Sequence, residues 1–400
     1  MYGIAILGYG VVGSGVAEVL DKNADRISQN AAREIGLKYI LDVRDFPDSP
    51  YTKLMVKDFS IIENDPEVRL VAETIGGVGV AQEFTRRALM AGKSVVTSNK
   101  ELVARFGCEL LKIAEEKGVN YLFEASVGGG IPILRPITQC LAANKITEIY
   151  GILNGTTNYI LTQMIKEGLP FDTALAEAQA AGYAEADPTS DIEGIDACRK
   201  ISILADLAFG RNIDPEWIKT VGIRAVTSQD VKYAENGGFK IKLLGRTVQT
   251  DDGRISAYVA PHLVPQDNLL SSVENVMNAI VVRGNAIGDV MFYGAGAGKL
   301  PTASAVVADI IDAAKHEHKR KLVSWDECDI GIMRSSAELH SRWYVRLSDT
   351  AAAITAKFPA AQLLGEEDGD AGFILPMASK TDIDNSLAES QVLTLFRVLD

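Results

Sequence analysis

The chain has 400 residues, of which 47% are hydrophobic, and a formal net charge of −13 at pH 7. This size suits two or three globular domains, and the acidic balance argues against nucleic acid or an anionic membrane as the main partner. The four cysteines form no CxxC pair, so we expect reduced thiols and a cytoplasmic location. We expect neither a membrane span nor a signal peptide, since no apolar run is long enough and the first residues lack a charged start.

The first stretch, "YGIAILGYGVVGSGVAEVLDK", predicts a strand, a glycine-rich turn and a helix. Its glycines match G-x-G-x-x-G in the context that dinucleotide binding requires. Gly8 permits the tight turn, Gly10 lets the backbone approach a pyrophosphate, and Gly13 allows close packing of helix on strand. Val11 and Val12 would open the helix whose N-terminus faces the phosphates. The alternative is a purely structural glycine turn.

Strands and helices then alternate. The predicted strands are "LKYILDVRD", "VRLVAETIGG", "SVVTSNK" and "VNYLFEASVGGG", and the helices between them are "AQEFTRRALMAG" and "ELVARFGCELLKIAEEKG". This alternation predicts an α/β fold with a doubly wound parallel sheet, which binds ligands at the carboxyl ends of its strands. Those ends carry Arg44, Gly76, Gly77, Ser98, Asn99, Lys100 and Glu124.

The pattern changes at about Ile131. Strands of a mixed sheet are predicted in "KITEIYGILNGTTNYIL", "GRISAYVAPHLV" and "VENVMNAIVVRGNAIGDVMFYGAG", with helices over Phe171–Ala181 and Asp191–Phe209. The helix "TASAVVADIIDAAKHEHK" is expected to return to the first domain, and the tail predicts strand, helix, strand, helix, strand. We therefore predict a dinucleotide-binding domain over 1–130, an α+β domain with a mixed sheet over 131–312, a linker over 313–340 and a small module over 341–400.

An acidic stretch precedes an apolar helix. "GYAEADPTSDIEGIDACRKISILADLAFG" contains the carboxylates Glu185, Asp187, Asp191, Glu193 and Asp196, and its helix carries Lys200. Asp196 and Lys200 are four residues apart and share a helix face whose other residues are apolar, so we expect a buried pair. Burial lowers the pKa of a lysine toward the range of a general acid/base, whereas a neighbouring carboxylate raises it. The alternatives are an ordinary helix salt bridge and, for the acids, a solvated loop instead of a site for a substrate ammonium group.

Lys100 is a second candidate, because it lies between a strand end and a helix at the cleft where a nicotinamide would arrive. The alternative is a solvent-facing lysine. The histidines are interpreted as structural; they are His262, His316, His318 and His340.

Seven segments, in this order, resemble the homoserine dehydrogenase family over roughly Ile4–Asp312. They are "GYGVVGSGV", "SVVTSNKELVA", "EASVGGGIPI", "ILNGTTNYIL", "GYAEADPTSDIEGIDACRKISILA", "LVPQDNLLSSVENVMNAI" and "YGAGAGKLPTASAVVADI". The run Gly182–Leu204 is the most specific of them.

The resemblance implies reversible, NAD- or NADP-dependent interconversion of L-homoserine and L-aspartate 4-semialdehyde, and a substrate-binding role for the second domain. It makes Lys200 the acid/base, Asp196 its partner at the reacting oxygen, and Lys100 a second active-site lysine. The residues implied for substrate binding are Gly182, Tyr183, Glu185 and Asp191.

The resemblance also implies bound ions, further cofactor contacts and an oligomer. A monovalent cation, sodium in the first place, would be held by the carbonyls of Glu124, Val127, Gly129 and Ile131. Gly298 and Thr302 would contact the cofactor. "NGTTNYIL" begins the region through which the family dimerises, which predicts a homodimer or homotetramer.

Cofactor preference depends on the end of the second predicted strand. Asp42 would favour NAD by binding the ribose hydroxyls, whereas Arg44, helped by Lys57, would accept the 2′-phosphate of NADP. We favour NADP(H).

The tail resembles a shortened ACT domain without the usual proline-glycine turn or a recognisable second strand, so feedback control by threonine is not expected.

Two other functions make different demands on the sequence. An aspartate-semialdehyde dehydrogenase needs a nucleophilic cysteine, and Cys198 lies on a different helix face from Asp196 and Lys200. A non-catalytic nucleotide-sensing protein would not need that buried pair.

Overall fold

The computed structural model describes residues 1–400 except His318, Arg320 and Leu322, so the structural interpretation of His318 lies outside the described residues. The chain forms two compact units. The first unit comprises Met1–Lys145, Ser202–Pro215 and Gly294–Cys328, and the second comprises Ile146–Ile201, Glu216–Tyr293 and Asp329–Asp400. The predicted division at residues 130, 312 and 340 stays a prediction. No helix in the described part of the chain is long and apolar enough to cross a membrane.

The first unit is built on a parallel sheet, as predicted. Its strands and helices, in chain order up to residue 145, are β1 (Tyr2–Leu7), α1 (Val11–Lys22), α2 (Ala24–Ala31), β2 (Ile35–Leu41), β3 (Met55–Val56), α3 (Phe59–Asn64), β4 (Val68–Glu73), α4 (Gly79–Met90), β5 (Ser94–Thr97), α5 (Lys100–Lys117) and β6 (Tyr121–Leu122). The sheet order is β3-β2-β1-β4-β5-β6, with every pair parallel. The order reverses direction between β1 and β4, which is the switch point where such sheets bind ligands.

The remaining elements are β7 (Ile146–Ile152), α6 (Gly155–Lys166), α7 (Phe171–Ala180), α8 (Thr189–Ile192), α9 (Ile195–Phe209), β8 (Lys219–Thr220), α10 (Ser228–Asn236), β9 (Phe239–Gln249), β10 (Ile255–Pro265), β11 (Met277–Gly284), β12 (Gly288–Ala295), α11 (Lys299–Lys315), β13 (Ser341–Leu347), α12 (Ala351–Lys357), β14 (Gln362–Glu367), β15 (Asp370–Ala378), α13 (Lys380–Ser386) and β16 (Val392–Val398). Helix α11 belongs to the first unit. It packs on α1, where a Cβ on Gly15 would lie 2.8 Å from the carbonyl oxygen of Lys299.

The second unit contains the mixed sheet. Ten strands take part in the order β12-β11-β7-β9-β10-β16-β13-β15-β14, with β8 beside β10. The pairs β7–β9 and β9–β10 are antiparallel, whereas β10–β16 is parallel. The predicted mixed sheet is therefore confirmed.

Two local predictions in this unit were wrong. "NGTTNYIL" is not a strand: β7 ends at Ile152 and α6 begins at Gly155, because the Asn154 side chain accepts the N–H of Thr157 and caps the helix. The predicted helix Asp191–Phe209 is also interrupted. Gly194 separates α8 from α9 with φ of +80°, a conformation that glycine adopts without steric cost.

The tail has one strand more than the sequence predicted. Its elements run β13, α12, β14, β15, α13, β16, the β-α-β-β-α-β order of a ferredoxin-like unit. The missed strand is β14, an edge strand in which only Leu364 is buried. Strand β16 joins the ferredoxin-like tail to the rest of the mixed sheet, since Arg397 and Val398 pair with His262 and Leu263 of β10.

Candidate active site

The glycine-rich turn follows β1 in the first unit. Gly8 has a φ of +90°, and a Cβ on Gly13 would lie 1.9 Å from the carbonyl oxygen of Gly8, so a larger residue does not fit. Gly10 precedes α1, and Val11 and Val12 are its first two residues. Their N–H groups have no partner within the helix, which makes this end of α1 suited to an anion such as a pyrophosphate.

A charged pair lies at the end of β2. The buried carboxylate of Asp42 accepts hydrogen bonds from the guanidinium of Arg44 (Nη2–Oδ2 2.9 Å) and from the N–H of Tyr9 (2.7 Å). Chiefly because of the bond from Arg44, the pKa of Asp42 falls to about 2. The Arg44 side chain is 60% exposed, and its Nη2 lies 3.9 Å from where a Cβ on Gly10 would be. Lys57 donates to the carbonyl oxygens of Val43 and Arg44.

The ends of β4 and β5 are joined by a buried network that contains the predicted residue Asn99 and two residues that the sequence interpretation missed, Glu73 and Thr97. Glu73 is fully buried, and burial raises its pKa. Its carboxylate accepts the Thr97 hydroxyl (2.6 Å) and the N–H of Ile75 (2.8 Å). Asn99 donates to the carbonyl oxygen of Gly77 (2.6 Å) and accepts the N–H of Leu102 at the start of α5. The one signal in the sequence was a glutamate at the end of an otherwise apolar strand.

The predicted residues Ser98 and Lys100 flank Asn99. Lys100 is half-buried and is the first residue of α5. Gly298 precedes α11 with φ of +129°, and its carbonyl oxygen accepts the N–H of the buried Thr302. All five of these residues belong to the first unit.

Asp196 and Lys200 pair on α9, in the part of the helix that belongs to the second unit. Lys200 Nζ donates to Asp196 Oδ2 (2.7 Å) and to the carbonyl oxygen of Leu153 (2.7 Å). Lys200 is 7% exposed and Asp196 is 3% exposed. The predicted pairing and burial are thus present, and the geometry differs from that of an exposed helix salt bridge.

Asn154 is a second residue that the sequence interpretation missed. Its Nδ2 donates to Asp191 Oδ1 (2.7 Å) and to Asp196 Oδ2 (2.8 Å). Burial raises the pKa of Asp191, with a further contribution from the charge of Asp196, whereas the bond from Asn154 lowers it. Asp191 and Asp196 therefore meet at one amide group.

Two other acidic residues of the predicted cluster, Glu193 and Asp187, have partners of their own. Glu193 pairs with Arg224 (2.8 Å), and Asp187 accepts the N–H of Thr189, a local turn contact. Glu185 is exposed, on a loop whose Tyr183 carbonyl oxygen accepts the Thr156 hydroxyl (2.7 Å). Gly182 opens this loop with φ of +77°.

The predicted cation loop follows β6. The Glu124 carboxylate accepts the N–H groups of Ile133, Leu134 and Arg135 at 2.6–2.9 Å, which ties the start of the loop to its end. Gly129 has a φ of +58°, and a Cβ there would lie 2.3 Å from the carbonyl oxygen of Gly296. In the described residues no group of three or more His, Cys, Asp or Glu is arranged to hold a metal ion, a finding about side-chain ligands rather than carbonyls.

His262 is fully buried on β10, and this burial lowers its pKa to about 3. Its Nδ1 contacts the carbonyl oxygen of Ala260 (2.9 Å), and its ring stacks on Tyr258. It is held neutral at physiological pH, as a structural histidine would be.

A dinucleotide-type sheet with a glycine-rich turn, together with a buried lysine–carboxylate pair, is typical of an NAD(P)-dependent dehydrogenase. Comparison with known proteins narrows the class. A family model described as the homoserine dehydrogenase NAD-binding domain matches residues 8–124, and one described as homoserine dehydrogenase matches residues 132–311.

Individual relatives agree. A homoserine dehydrogenase of Bacillus subtilis is 44% identical over 78% of this chain and 73% of its own length, and one of Neisseria gonorrhoeae is 46% identical over 78% and 72%. The crystal structure of a homoserine dehydrogenase from Thiobacillus denitrificans superposes with a TM-score of 0.89 at 35% identity, covering 100% of this chain and 98% of that one. A homoserine dehydrogenase from a hyperthermophilic archaeon in complex with NADPH has a TM-score of 0.66 at 31% identity, covering 78% and 97%.

The chain belongs to the homoserine dehydrogenase family. Its activity is the NAD(P)-dependent interconversion of L-homoserine and L-aspartate 4-semialdehyde, a step of amino-acid biosynthesis. The comparisons favour neither a nucleotide-sensing protein nor a semialdehyde dehydrogenase.

Proposed function

We propose that Lys200 is the general acid/base of this homoserine dehydrogenase and that Asp196 is its partner at the reacting oxygen. The observation that carries the proposal is the buried bond between Lys200 Nζ and Asp196 Oδ2. The nicotinamide, when bound, supplies the hydride chemistry. The neutral Lys200 amine takes the hydroxyl proton as homoserine is oxidised, and the ammonium returns it when the semialdehyde is reduced.

Glu185 and Asp191 are proposed to bind the substrate's ammonium group, with Gly182 and Tyr183 beside it and Lys100 as a second active-site lysine. The partly buried carboxylate of Asp191, next to the Lys200 pair, supports this assignment. The loop of Gly182–Glu185 is tied to α6 through Thr156 and to α7 through Gln179, which donates to the Glu185 carbonyl oxygen.

The activity is tested by absorbance at the reduced-nicotinamide band. The protein is mixed with L-homoserine and either NADP or NAD, and separately with L-aspartate 4-semialdehyde and the reduced cofactors. Absorbance that rises in the first mixture and falls in the second supports the proposed function. No change in either, with a folded protein, would contradict it.

NADP(H) is proposed as the preferred cofactor, bound through Gly8, Gly10, Val11, Val12, Gly13, Arg44, Lys57, Ser98, Asn99, Lys100, Gly298 and Thr302. Asp42 supports this preference, because its carboxylate is engaged by Arg44 and Tyr9, whereas the Arg44 side chain is 60% exposed and lies beside the glycine turn. A planar guanidinium matches a phosphate with two parallel hydrogen bonds.

Arg44→Ala should raise the KM for NADP by about 10-fold to 100-fold, the worth of one or two lost bonds to a charged group. The KM for NAD should change by less than about 3-fold, because NAD has no 2′-phosphate. Steady-state kinetics with both cofactors checks this. Equal increases for the two cofactors would mean that Arg44 does not select the phosphate.

A monovalent cation, sodium in the first place, is proposed at the carbonyls of Glu124, Val127, Gly129 and Ile131. The loop fits such an ion because the Glu124 carboxylate holds its two ends together and glycines permit its close turns. Carbonyl oxygens suit hard cations.

Turnover in sodium should exceed turnover in tetramethylammonium at the same ionic strength by about 3-fold or more, since the bulky ion does not fit among carbonyls. Glu124→Gln is expected to reduce this difference by loosening the loop. Identical rates in sodium, potassium and tetramethylammonium would contradict the site.

We also propose a cytoplasmic homodimer or homotetramer with an ACT-like tail. The ferredoxin-like element order of Ser341–Val398 supports the comparison with an ACT domain. The edge strand β12, with Tyr293 54% exposed, offers a surface for association of two chains.

A further inference from the structure

Asn154 lies where β7 ends and α6 begins, and it is 5% exposed. Its side chain makes two kinds of contact. The oxygen accepts the N–H (2.8 Å) and the hydroxyl (3.0 Å) of Thr157, whereas the nitrogen donates to Asp191 and Asp196. Carboxylates accept and backbone N–H groups donate, so chemistry fixes this orientation of the amide.

Both amide hydrogens are used on different carboxylates. The acceptors are Asp191 Oδ1, on α8, and Asp196 Oδ2, on α9. Asp196 Oδ2 also receives Lys200 Nζ, and Leu153, the neighbour of Asn154 in the chain, receives the same Nζ through its carbonyl oxygen. The two residues Leu153 and Asn154 therefore contact every member of the group Asp191, Asp196 and Lys200.

We propose that Asn154 is a positioning residue: it links Asp191, which binds the substrate, to the Asp196–Lys200 pair, which moves the proton. This inference rests on the proposed function of those three residues. One planar group with two hydrogens sets the separation of two carboxylates that would otherwise repel each other. It thereby fixes where the ammonium group of the substrate is held relative to the lysine amine that reaches the hydroxyl.

Two substitutions separate positioning from helix capping. Serine and aspartate cap helices about as well as asparagine. Asn154→Ser keeps an acceptor for Thr157 but loses the two-hydrogen donor. Asn154→Asp keeps the shape of the side chain but replaces the donor by an acceptor, which sets a third carboxylate against Asp191 and Asp196.

Asn154→Ser should lower kcat/KM for homoserine by about 10-fold to 100-fold, and Asn154→Asp by more, through both kcat and KM. The KM for NADP should stay within about 2-fold, and the thermal midpoint should remain near that of the parent. The acid limb of the pH profile should move to higher pH in Asn154→Ser. Loss of a hydrogen bond to the Asp191 carboxylate raises its pKa, and the charged neighbours Asp196 and Lys200 are unchanged.

The full-length enzyme, Lys200→Ala and the two Asn154 variants are measured together. Suppose that Lys200→Ala is inactive and that Asn154→Ser is folded. If Asn154→Ser then keeps kcat/KM within about 2-fold of the parent and the acid limb of its pH profile does not move, Asn154 only caps α6. If Asn154→Ser unfolds, Asn154→Asp decides by the same readouts. A separate result tests the proposed function: if Lys200 is not the general acid/base, Lys200→Ala will keep the turnover of the parent enzyme.

Discussion

Lys200→Ala should lower turnover by about 10²–10⁴-fold, the usual contribution of a positioned general acid/base. Lys200 Nζ contacts both Asp196 and the Leu153 carbonyl oxygen, and alanine leaves no amine at that position. The KM for NADP should change by less than about 3-fold, because the phosphates are expected at the glycine-rich turn. Steady-state and single-turnover absorbance measurements check both values.

A matched control is available in Lys242, a second buried lysine of the same unit. It is 1% exposed, burial lowers its pKa to about 7, and its Nζ donates to Asn158 Oδ1 (3.0 Å) and to the Val273 carbonyl oxygen. Lys242→Met removes a buried lysine without touching the proposed proton path. It should lower stability by about 1–3 kcal/mol, because two acceptors lose their donor, and leave kcat within about 3-fold.

Comparison of the two lysines separates catalysis from burial. If Lys242→Met and Lys200→Ala lose turnover to the same extent, the loss reflects damage to the fold. If Lys200→Ala remains folded with near-parental turnover, the Asp196–Lys200 pair is only a buried salt bridge. A large loss confined to Lys200 supports its role as the acid/base.

Local signals made the first unit predictable. Three of its features lie within the first 44 residues: the turn after β1, the first residues of α1 and the basic residue after β2. The glycine pattern predicts the first two, and the end of the strand predicts the third. The pair on α9 was predictable for the same reason, since its members are four residues apart on one helix face.

Contacts between distant residues were not predictable in this way. Asn154 meets Asp191 and Asp196 across 37 and 42 residues, and no pattern near Asn154 identifies its partners. Its helix was also misread, because Thr, Tyr and Ile in "NGTTNYIL" have high strand propensity. Tertiary contacts decide for a helix there: Asn158 donates to the carbonyl oxygens of Val273 and Met277, more than 100 residues away.

Edge strands give the weakest signal. Strand β14 of the tail lies at the end of the sheet and has one buried residue, so the alternation of polar and apolar residues that marks a half-buried strand is missing. The partner of β14 is β15, which was predicted from the segment "AGFILPMAS", and its centre is buried in the structure. The complete ferredoxin-like order was therefore visible only in the structure.

Gly13→Ala and Gly10→Ala should have different effects, although both residues belong to the glycine motif. A Cβ at Gly13 would lie 1.9 Å from the carbonyl oxygen of Gly8 and 2.8 Å from Thr74 Oγ1, so the turn must shift. At Gly10 the nearest atom is Arg44 Nη2 at 3.9 Å, and φ is −80°, so the protein itself accommodates alanine there.

Gly13→Ala should therefore lower stability by about 1–3 kcal/mol, as overpacking does, and raise the dissociation constant for NADPH by about 100-fold or more. Gly10→Ala should keep the thermal midpoint of the apoprotein but raise the dissociation constant by about 10-fold to 100-fold, because its methyl group occupies the space that the pyrophosphate needs. Thermal unfolding without cofactor and titration by nicotinamide fluorescence measure the two effects independently. If Gly10→Ala binds NADPH as tightly as the parent, the cofactor does not approach the backbone at this turn.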